Sequence, residues 1–460
     1  MRTLAATHLL LALTLACTCA TAGAVDARLQ VEPNIQVPAG SLHYAATGFP
    51  DRIVATPAQD PAHAFSVNWR TDATVEQPVL EVALAIDGPG FGPVTVVQAS
   101  SRQLRTETGQ SLHHRADVTG LAPDTLYVYR VQGKDTWSAW NQIRTAGPAS
   151  KPFTMLYFGD TQNKNLSHVS RVIRAGQKAA PDAHLTLFGG DLVNGGDGVD
   201  DSEWGEWFAA LGWLAQETLV APAIGNHEYF KEFEGTPRER RVLGQHWPVT
   251  FALPDNGSAA TPSTTYWFDY QGVRFAVLDG TSVLDLGTAT AQAEWLDKVL
   301  ESNPHPWSIV MVHQPLFSPR VGRDYKALRE AMLPVVQRHG VDLLLQAHDH
   351  SYGRRGVDDA PTPQFIVSVA GAKLYRLSGQ ARATMTPVAE DTQLFQVLKI
   401  DPQRLHYEAR TVTGRLYDAF ELTRTADGRK QKKELTGGRI APRNCLRPQT
   451  PKGRKDRCWE

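Results

Sequence analysis

Between residues 153 and 347 the chain alternates short apolar runs with stretches of helical periodicity, and the apolar runs end in polar motifs. The runs are FTMLYFGD, HLTLFGGD, VRFAVLDG, WSIVMVHQ and VDLLLQAH, and stretches such as AQAEWLDKVLES and KALREAMLPVVQRHG lie between them. Strands that alternate with helices predict α/β layers, because each sheet covers its apolar faces with helices. Folds of this kind place their chemistry at the carboxyl ends of the strands.

The polar motifs at these ends contain residue types that bind metals. The candidates are Asp160, Asp191, Asn226 with His227, His313, and His348 with His350. Each has an ordinary explanation on its own, since a Gly-Asp pair commonly forms a turn and a buried histidine is commonly hydrogen-bonded. Five such motifs along one α/β pattern favour a shared metal site instead.

The residue types also limit the metal chemistry. Two cations about 3.5 to 4 Å apart need a bridging ligand, and a carboxylate with two oxygens can bridge them. Imidazoles and carboxylates suit Fe, Mn and Zn, and there is no cysteine between Cys19 and Cys445 to favour thiolate coordination. The sequence therefore predicts two divalent metal ions and leaves their identity open.

Residues 25 to 147 lack helical periodicity and predict a β-domain. AFSVNWRTD alternates Phe65, Val67 and Trp69 on one face, and LYVYRVQG and AWNQIRTA add strand-like runs between turn residues. The stretch ADVTGLAPDTLYVYRV resembles the end of a fibronectin type III-like sandwich. We therefore expect an all-β sandwich that supports the domain after it.

The ordered motifs Gly-Asp-x, Gly-Asp-x-x, Gly-Asn-His-Glu, Val-x-x-His and x-His-x-His resemble those of the calcineurin-like metallophosphoesterase superfamily. With the sandwich in front, the chain resembles the purple acid phosphatase branch over roughly residues 40 to 420. The resemblance implies a four-layer α/β fold over residues 148 to 423, with two packed sheets flanked by helices. It also implies hydrolysis of phosphomonoesters by attack of a metal-bound hydroxide.

The resemblance assigns roles to the motif residues, with Asp191 as the carboxylate that bridges two metals. The implied ligands are Asp160, Asp191 and His350 for the first metal, and Asp191, Asn226, His313 and His348 for the second. His227 is the implied general acid for the leaving oxygen and, with Asn226, an implied substrate contact. Gln162 is a weak additional candidate for a metal ligand, and Arg354 is one for a substrate contact.

Three positions depart from the purple acid phosphatase pattern. Ala347 replaces a glycine, Gln162 replaces a glycine or histidine, and Asn194 stands where those enzymes have a tyrosine that binds ferric iron. Without that phenolate the first site has less negative charge to favour a trivalent ion, so we expect a nearly colourless protein that works with divalent metals. Tyr229 and Tyr352 lie beside ligand motifs and are alternative phenolate donors.

Two other functions are compatible with the same motifs. Phosphodiester hydrolysis would use the same ligands, and a non-catalytic adhesion or binding protein would be a sandwich joined to a decayed enzyme. The complete ligand set argues against decay. A small phosphorylated substrate is the expected partner, and the oligomeric state is not predicted.

Residues 1 to 24 have the layout of a secretory signal peptide. Arg2 precedes an apolar run from Leu9 to Leu15, and small residues follow it. We expect a secreted or periplasmic protein, with lipoprotein anchoring at Cys17 as the alternative. No later segment reaches 18 consecutive apolar residues, so no transmembrane helix is expected.

Residues 424 to 460 predict a basic tail, with 12 Lys and Arg against 4 Asp and Glu. Trp459 is the tail's only aromatic residue, so its charges are not interleaved with aromatic side chains and nucleic-acid binding is not expected. Cys445 and Cys458 are the cysteines that remain after removal of the signal peptide. An exported compartment is oxidising, so we expect them to form a disulfide.

Overall fold

The structure of the chain is a computed structural model. It describes residues 33–38, 41–195, 200–357, 360–425 and 427–445. The predicted signal peptide, the lipidation candidate Cys17 and the cysteine Cys458 lie outside these residues. Cys445 is disulfide-bonded. Among the described residues, no helix is both long enough and apolar enough to cross a membrane.

The N-terminal domain consists of two antiparallel four-stranded sheets. Its strands are β1 (Asp51–Pro57), β2 (Phe65–Asp72), β3 (Val79–Leu84), β4 (Thr95–Gln98), β5 (Ser100–Thr106), β6 (Gly109–Val118), β7 (Leu126–Val131) and β8 (Asn141–Arg144). The strand orders are β1-β2-β6-β5 and β4-β3-β7-β8, and residues of both sheets share one apolar core. The predicted all-β sandwich is confirmed.

Strand β2 is buried on both faces. Phe65, Val67 and Trp69 lie in the core, as their alternation predicts. Asn68 on the opposite face is also buried, and its side-chain amide donates to the carbonyl oxygen of Val249 at 3.1 Å. The second face is therefore covered by the following domain, a contact that the alternation alone does not indicate.

The following domain contains two mixed seven-stranded sheets and a two-stranded hairpin. Its strands are β9 (Phe153–Phe158), β10 (Leu185–Phe188), β11 (Leu219–Pro222), β12 (Tyr229–Glu232), β13 (Arg240–Leu243), β14 (Tyr266–Tyr270), β15 (Val273–Leu278), β16 (Trp307–Val312), β17 (Leu343–Gln346), β18 (Tyr352–Arg355), β19 (Gln364–Val367), β20 (Val388–Ala389), β21 (Leu394–Ile400), β22 (Arg404–Thr411), β23 (Leu416–Arg424) and β24 (Lys430–Glu434).

Helices separate many of these strands. They are α1 (Ser170–Ala179), α2 (Asp201–Leu211), α3 (Leu214–Glu217), α4 (Trp247–Thr250), α5 (Gly280–Asp285), α6 (Ala289–Glu301), α7 (Lys326–Arg338) and α8 (Gly379–Thr384), and a π-helical turn leads into α1. The stretches AQAEWLDKVLES and KALREAMLPVVQRHG correspond to α6 and α7. The predicted α/β alternation is confirmed.

The first sheet has the order β11-β10-β9-β21-β22-β23-β24, in which β9, β10 and β11 are parallel. The second has the order β14-β15-β16-β17-β19-β18-β20, in which β15, β16, β17 and β19 are parallel. Every residue of β10, β16 and β17 is buried. Such apolar strands suit parallel sheets that are covered on both faces.

The two sheets are packed face to face. Tyr157 on β9 connects them, because its hydroxyl donates to the carbonyl oxygen of Gln346 at the end of β17 at 2.8 Å. Helices α6 and α7 cover the second sheet, and their apolar side chains form one cluster with those of its strands. Helices α1 and α2 contribute side chains to the core of the first sheet. The two sheets and the helices on their outer faces form the predicted four layers. The ends of β9, β10, β16 and β17 come together between the sheets.

Buried ion pairs join the sandwich to the following domain. Asp201 at the start of α2 accepts hydrogen bonds from Arg52 on β1 at 2.6 Å and from Arg70 on β2 at 2.9 Å. Burial alone would raise the pKa of Asp201, but Arg52, His246 and Arg70 hold it well below its usual range. Removing one partner of a buried pair costs about 3 to 5 kcal/mol. The described residues from Asn34 onward accordingly form one compact unit.

The C-terminal segment contributes a strand that the tail prediction did not include. Strand β24 pairs antiparallel with β23 at the edge of the first sheet. Beyond it, Nη2 of Arg439 lies 3.1 Å from Oδ1 of Asp418. The predicted boundary between residues 423 and 424 falls at the end of β23, before the strand that pairs with it. The sequence KQKKE hides the strand because an edge strand exposes charged side chains to solvent.

Candidate metal centre

The sequence-predicted ligand residues meet where strands of both sheets end. The first sheet supplies Asp160 after β9, Asp191 after β10 and Asn226 after β11, and the second supplies His313 after β16 and His348 and His350 after β17. The oxygen donors therefore come from one sheet and the nitrogen donors from the other.

The glycines of the Gly-Asp and Gly-Asn motifs permit a close approach of the chain. A Cβ atom at Gly159 would lie 2.3 Å from the carbonyl oxygen of Ser368, and one at Gly225 would lie 2.1 Å from Oδ1 of Asp191. No side chain fits at either distance, so these motifs need glycine for packing as well as for their turns.

Ala347, one of the departures from the family pattern, is accommodated by a glycine in the facing sheet. Its side chain is fully buried. A Cβ atom at Gly189 would lie 3.0 Å from the Cβ atom of Ala347. The methyl group therefore occupies space that the glycine opposite leaves free.

Three of the candidate ligands have a left-handed backbone. The φ angles are 49° at Asp191, 66° at His348 and 46° at His350. For residues other than glycine this conformation costs on the order of 1 kcal/mol or more each, and such strain tends to collect at functional sites. The packing around these residues holds the strained turns in place.

Asp191 lies at the centre of the site. Its Oδ2 atom is 2.9 Å from Nε2 of His313 and 4.0 Å from Nδ1 of His348. One donor atom from each of these three residues lies within 4.8 Å of the other two. Among the described residues this is the one group of histidine, cysteine or acidic side chains with that spacing.

Asp160, His350 and Gln162 form the other half of the site. Nε2 of His350 lies 3.2 Å from Oδ2 of Asp160. The amide nitrogen of Gln162 donates to Oδ2 of Asp191 at 2.9 Å and lies 3.1 Å from Nε2 of His350. The nitrogen of the amide group therefore faces these groups, and Gln162 donates to Asp191 in this arrangement, while its role as a weak metal ligand stays a prediction.

Two of the histidines are oriented by backbone carbonyl groups. Nδ1 of His313 lies 2.8 Å from the carbonyl oxygen of Gly189, and Nδ1 of His350 lies 2.7 Å from that of Lys373. Each Nδ1 donates its hydrogen to the carbonyl, which directs Nε2 at the centre. Metal-binding histidines are commonly oriented in this way.

The oxygen side of the site contains buried atoms without hydrogen-bond partners. Both carboxylate oxygens of Asp160 and Oδ1 of Asn226 are in this state. A buried carboxylate that lacks partners is strongly destabilising unless a cation compensates it. The donor set of carboxylates, an amide oxygen and imidazoles therefore fits hard or borderline cations such as Mn, Fe or Zn.

The charges of the site are strongly coupled. Burial, and next the charge of Asp191, raise the pKa of Asp160 well above its usual range. Burial also opposes ionisation of Asp191, but the nearby histidines, His313 foremost, hold its pKa below the usual range. Burial would lower the pKa of His313, but Asp191 raises it to about 9. The carboxyl group of Asp191 and the imidazole of His313 therefore each favour the charged form of the other.

His227 lies at the edge of the group, and its side chain is 25% exposed. Its backbone N–H donates to Oδ1 of Asp191 at 2.8 Å, and its Nδ1 lies 3.0 Å from the carbonyl oxygen of Asn194. The other ring nitrogen, Nε2, is 4.0 Å from Oδ2 of Asp191. The ring is thus fixed through Nδ1, with Nε2 directed at the site.

Glu228 supports the oxygen side, and the sequence analysis gave it no role. Its carboxylate accepts backbone hydrogen bonds from Asp191 at 3.0 Å, Leu192 at 2.7 Å and Gly225 at 2.7 Å. One buried side chain therefore joins the ends of β10 and β11. Its position in the Gly-Asn-His-Glu motif could have indicated a role at the site. That role could not be derived from the sequence, because contacts with backbone groups require no particular residue type in the partner.

Neither tyrosine considered as a replacement phenolate is free to act as one. The Tyr229 hydroxyl donates to Oδ2 of Asp279 at 2.5 Å, and the Tyr352 hydroxyl donates to Oδ2 of Asp418 at 2.7 Å. Both side chains are buried in these contacts. The backbone carbonyl of Asn194 orients His227, as described above.

The predicted substrate contact by Arg354 is wrong. Its guanidinium is buried and pairs with Asp418 at 2.7 Å and with Glu434 at 2.7 Å. A further N–H donates to the side-chain oxygen of Gln364 at 3.2 Å. The side chain joins the second sheet to β23 and β24, so its role is structural.

Two family models match the chain. The calcineurin-like phosphoesterase model matches residues 153–352, and the purple acid phosphatase N-terminal domain model matches residues 50–145. Together they cover the second domain through the last histidine motif and most of the sandwich.

Curated relatives support the same assignment. An uncharacterized protein of Mycobacterium tuberculosis is 28% identical over 63% of this chain and 59% of its own length. Purple acid phosphatase 15 of Arabidopsis thaliana is 26% identical over 52% of this chain and 49% of its own length. Fe(3+)-Zn(2+) purple acid phosphatase 12 of the same plant is 25% identical over 52% of each chain. The chain thus spans about half to three fifths of these relatives.

Solved structures share the fold. Purple acid phosphatase PPD1 from yellow lupin (Lupinus luteus) seeds superposes with a TM-score of 0.69 and 18% identity, over 83% of this chain and 75% of that one. PhoD superposes with a TM-score of 0.59 and 12% identity, over 85% of this chain and 94% of that one. These structures share the fold, and the family models show that the chain contains a calcineurin-like phosphoesterase domain and a purple acid phosphatase N-terminal domain.

Proposed function

We propose that the protein is a dinuclear metal-dependent phosphatase that hydrolyses small phosphomonoesters. The observation that carries this proposal is the set of buried, partnerless oxygens on Asp160 and Asn226, facing histidines from the opposite sheet. The relatives named purple acid phosphatases support the monoester class.

Six residues would hold the two divalent ions, with Asp191 between them. They are Asp160, Asp191 and His350 for the first ion, and Asp191, Asn226, His313 and His348 for the second. When bound, two such ions activate water as a nucleophile and neutralise the charge that develops on a phosphoryl group. The amide nitrogen of Gln162, 2.9 Å from Oδ2 of Asp191, holds that carboxylate in the bridging position.

His227 has the geometry of a general acid for the leaving oxygen. The carbonyl oxygen of Asn194 accepts the Nδ1 hydrogen and so fixes the ring. Nε2 would carry the proton that moves to the leaving alkoxide, and it lies 4.0 Å from Oδ2 of Asp191 in a side chain that is 25% exposed. Asn226, which precedes His227 in the chain, would contact the substrate beside its metal.

The first ion is expected to be divalent because Asn194 replaces the family's tyrosine and Tyr229 and Tyr352 are bonded elsewhere. Iron-loaded, oxidised protein should then show no strong visible band. A phenolate-to-iron band in its absorption spectrum would contradict this expectation. The layout of residues 1 to 24 supports the further proposal that the protein is exported.

Turnover of an aryl phosphomonoester and of its diester tests the proposed function. Protein freed of metal is loaded in turn with Mn, Zn and ferrous iron, and kcat/KM is measured with its metal content known. We expect turnover that depends on metal and is faster for the monoester. A faster diester reaction would reassign the substrate class, and no turnover with any metal would reject the enzyme assignment.

A further inference from the structure

Two loops beside the histidines form one connected structure. Loop 316–325 follows β16, and loop 368–378 follows β19. A β-bridge pairs Arg320 of the first loop with Leu377 of the second. The loops are therefore held together by backbone hydrogen bonding, and side chains of both are positioned jointly.

The first loop is fastened to the segment that carries His348 and His350. Asp349, between the two histidines, is fully buried and accepts a hydrogen bond from Nη1 of Arg323 at 2.9 Å. The same Nη1 lies 3.3 Å from the carbonyl oxygen of His348. Arg323 thus fixes the loop against the histidine side of the metal centre.

Tyr375 lies close to His350 and to two further cations. Its ring centroid is 4.7 Å from that of His350, and the guanidinium carbon of Arg320 is 3.6 Å from the Tyr375 centroid. Nζ of Lys373 is 5.6 Å from the same ring and 3.5 Å from the side-chain oxygen of Gln162. We call Arg320, Arg323 and Lys373 the basic rim.

The positive charge of the basic rim is only partly balanced. Arg323 has Asp349 as a partner, but within the described residues neither Arg320 nor Lys373 has a carboxylate at ion-pair distance. Burial, and next the charge of Arg323, lower the pKa of Arg320. A guanidinium that lies over an aromatic ring, as that of Arg320 lies over Tyr375, can still donate hydrogen bonds from its edge.

We infer that the basic rim binds a second phosphate group of the substrate. The site would then prefer phosphomonoesters whose alcohol part carries another phosphate, an inference that rests on the proposed phosphatase function. A guanidinium held in one plane binds a phosphate through two parallel N–H donors, which suits Arg320. Lys373 adds a charge between that position and the metal centre.

The test compares binding of propane-1,3-diyl bisphosphonate with binding of propylphosphonate to the metal-loaded protein by calorimetry. These compounds are not hydrolysed, so the readout does not require turnover. The variant is Arg320→Gln. Its matched control is Lys326→Gln, which removes a neighbouring charge whose side chain is 70% exposed and pairs with Glu330.

Wild-type protein should bind the bisphosphonate more tightly than the monophosphonate. Because hydrogen bonds to charged groups are the stronger ones, Arg320→Gln should reduce this preference about tenfold. Lys326→Gln should change the preference less than about twofold, because exposed charges are well screened. The variant Arg320→Lys, which keeps the charge but not the planar donors, should lie between wild type and Arg320→Gln.

An unchanged preference in Arg320→Gln, or an equal loss for both compounds, would overturn the inference. A loss of folding is recognised by melting temperature, and Lys373→Gln is then the second variant to which the same criterion applies. If the protein prefers the bisphosphonate through Arg320 but hydrolyses no phosphomonoester, the proposed function fails and the rim stands. If it hydrolyses phosphomonoesters without any such preference, the proposed function stands and the inference about the basic rim fails.

Discussion

The oxygen side and the nitrogen side of the metal centre are held by different means. On the oxygen side, Glu228 ties the ends of β10 and β11 together through backbone hydrogen bonds, while Asp160 and Asn226 have oxygens without partners. On the nitrogen side, His313 and His350 each have a carbonyl partner at Nδ1. The oxygen side therefore contains buried oxygens without hydrogen-bond partners. On the nitrogen side, the Nδ1 atoms of both histidines have hydrogen-bond partners before any cation binds.

This difference indicates which side depends on the metal. Partnerless buried oxygens gain most from a cation, because they recover the interactions lost on burial. The histidines gain less, since their orientation is already fixed. Asp191 lies on the oxygen side and is 2.9 Å from Nε2 of His313 on the nitrogen side, so changes there should have the largest effect.

Asp191→Asn should weaken metal binding on both the oxygen side and the nitrogen side. Replacing the bridging carboxylate by an amide should remove most of the metal and lower kcat/KM by about 10⁴-fold or more. Metal analysis and turnover are the measurements, with circular dichroism to confirm that the sandwich stays folded. The control Asp117→Asn, at a half-exposed site on the sandwich, should keep its metal and activity. Full occupancy of both sites in Asp191→Asn would be incompatible with the bridging role.

His227→Ala should separate catalysis from metal binding. Both ions should remain, while kcat falls by roughly 10² to 10⁴-fold because the leaving oxygen loses its proton donor. A series of aryl phosphates with increasingly good leaving groups measures this. The defect should shrink along the series, and an equal loss for all members would rule out the general acid role.

Glu228→Gln should weaken the oxygen side alone. The glutamine amide has only one oxygen, so its nitrogen must face a backbone N–H group of Asp191, Leu192 or Gly225, and two donors then meet. Metal affinity should therefore fall by about 10 to 100-fold. Competition with a chelator measures that affinity. The exposed Glu330→Gln is the control. Equal affinities in Glu228→Gln and wild type would mean that the hydrogen bonds of Glu228 do not set the ligand geometry.

Glu203→Gln should have the smallest effect, on stability rather than turnover. Glu203 accepts backbone hydrogen bonds from Asn194 and Gly195, and burial, then Asp200, raise its pKa from 4.5 to about 7. Between these values the folded protein binds more protons than the unfolded chain, so this group's contribution falls as pH rises. Wild type should therefore lose stability relative to Glu203→Gln as pH rises through this window.

Urea midpoints at several pH values from about 4.5 to about 7.5 measure the relative change, with the exposed Glu234→Gln as the control. Parallel curves for wild type and Glu203→Gln would show that the carboxyl group titrates alike in the folded and unfolded states.

The sequence predicts this centre better than it predicts the contacts that support it. Asp191, His313 and His348 were predicted because metal-binding residue types recur at strand ends. Glu228 acts on backbone groups, which carry no residue signature. Arg354 lies beside the last motif, yet its partners Asp418 and Glu434 are 64 and 80 positions away, a contact that only the fold reveals.

The two-metal assignment is tested most directly by metal stoichiometry. The protein is freed of metal with a chelator, loaded with Mn or Zn, and separated from excess ions before elemental analysis. We expect two ions per chain in wild type and in Asp117→Asn, because both sides of the centre then have their donors. One ion or none per chain, with the protein folded, would contradict a dinuclear centre between the two sheets.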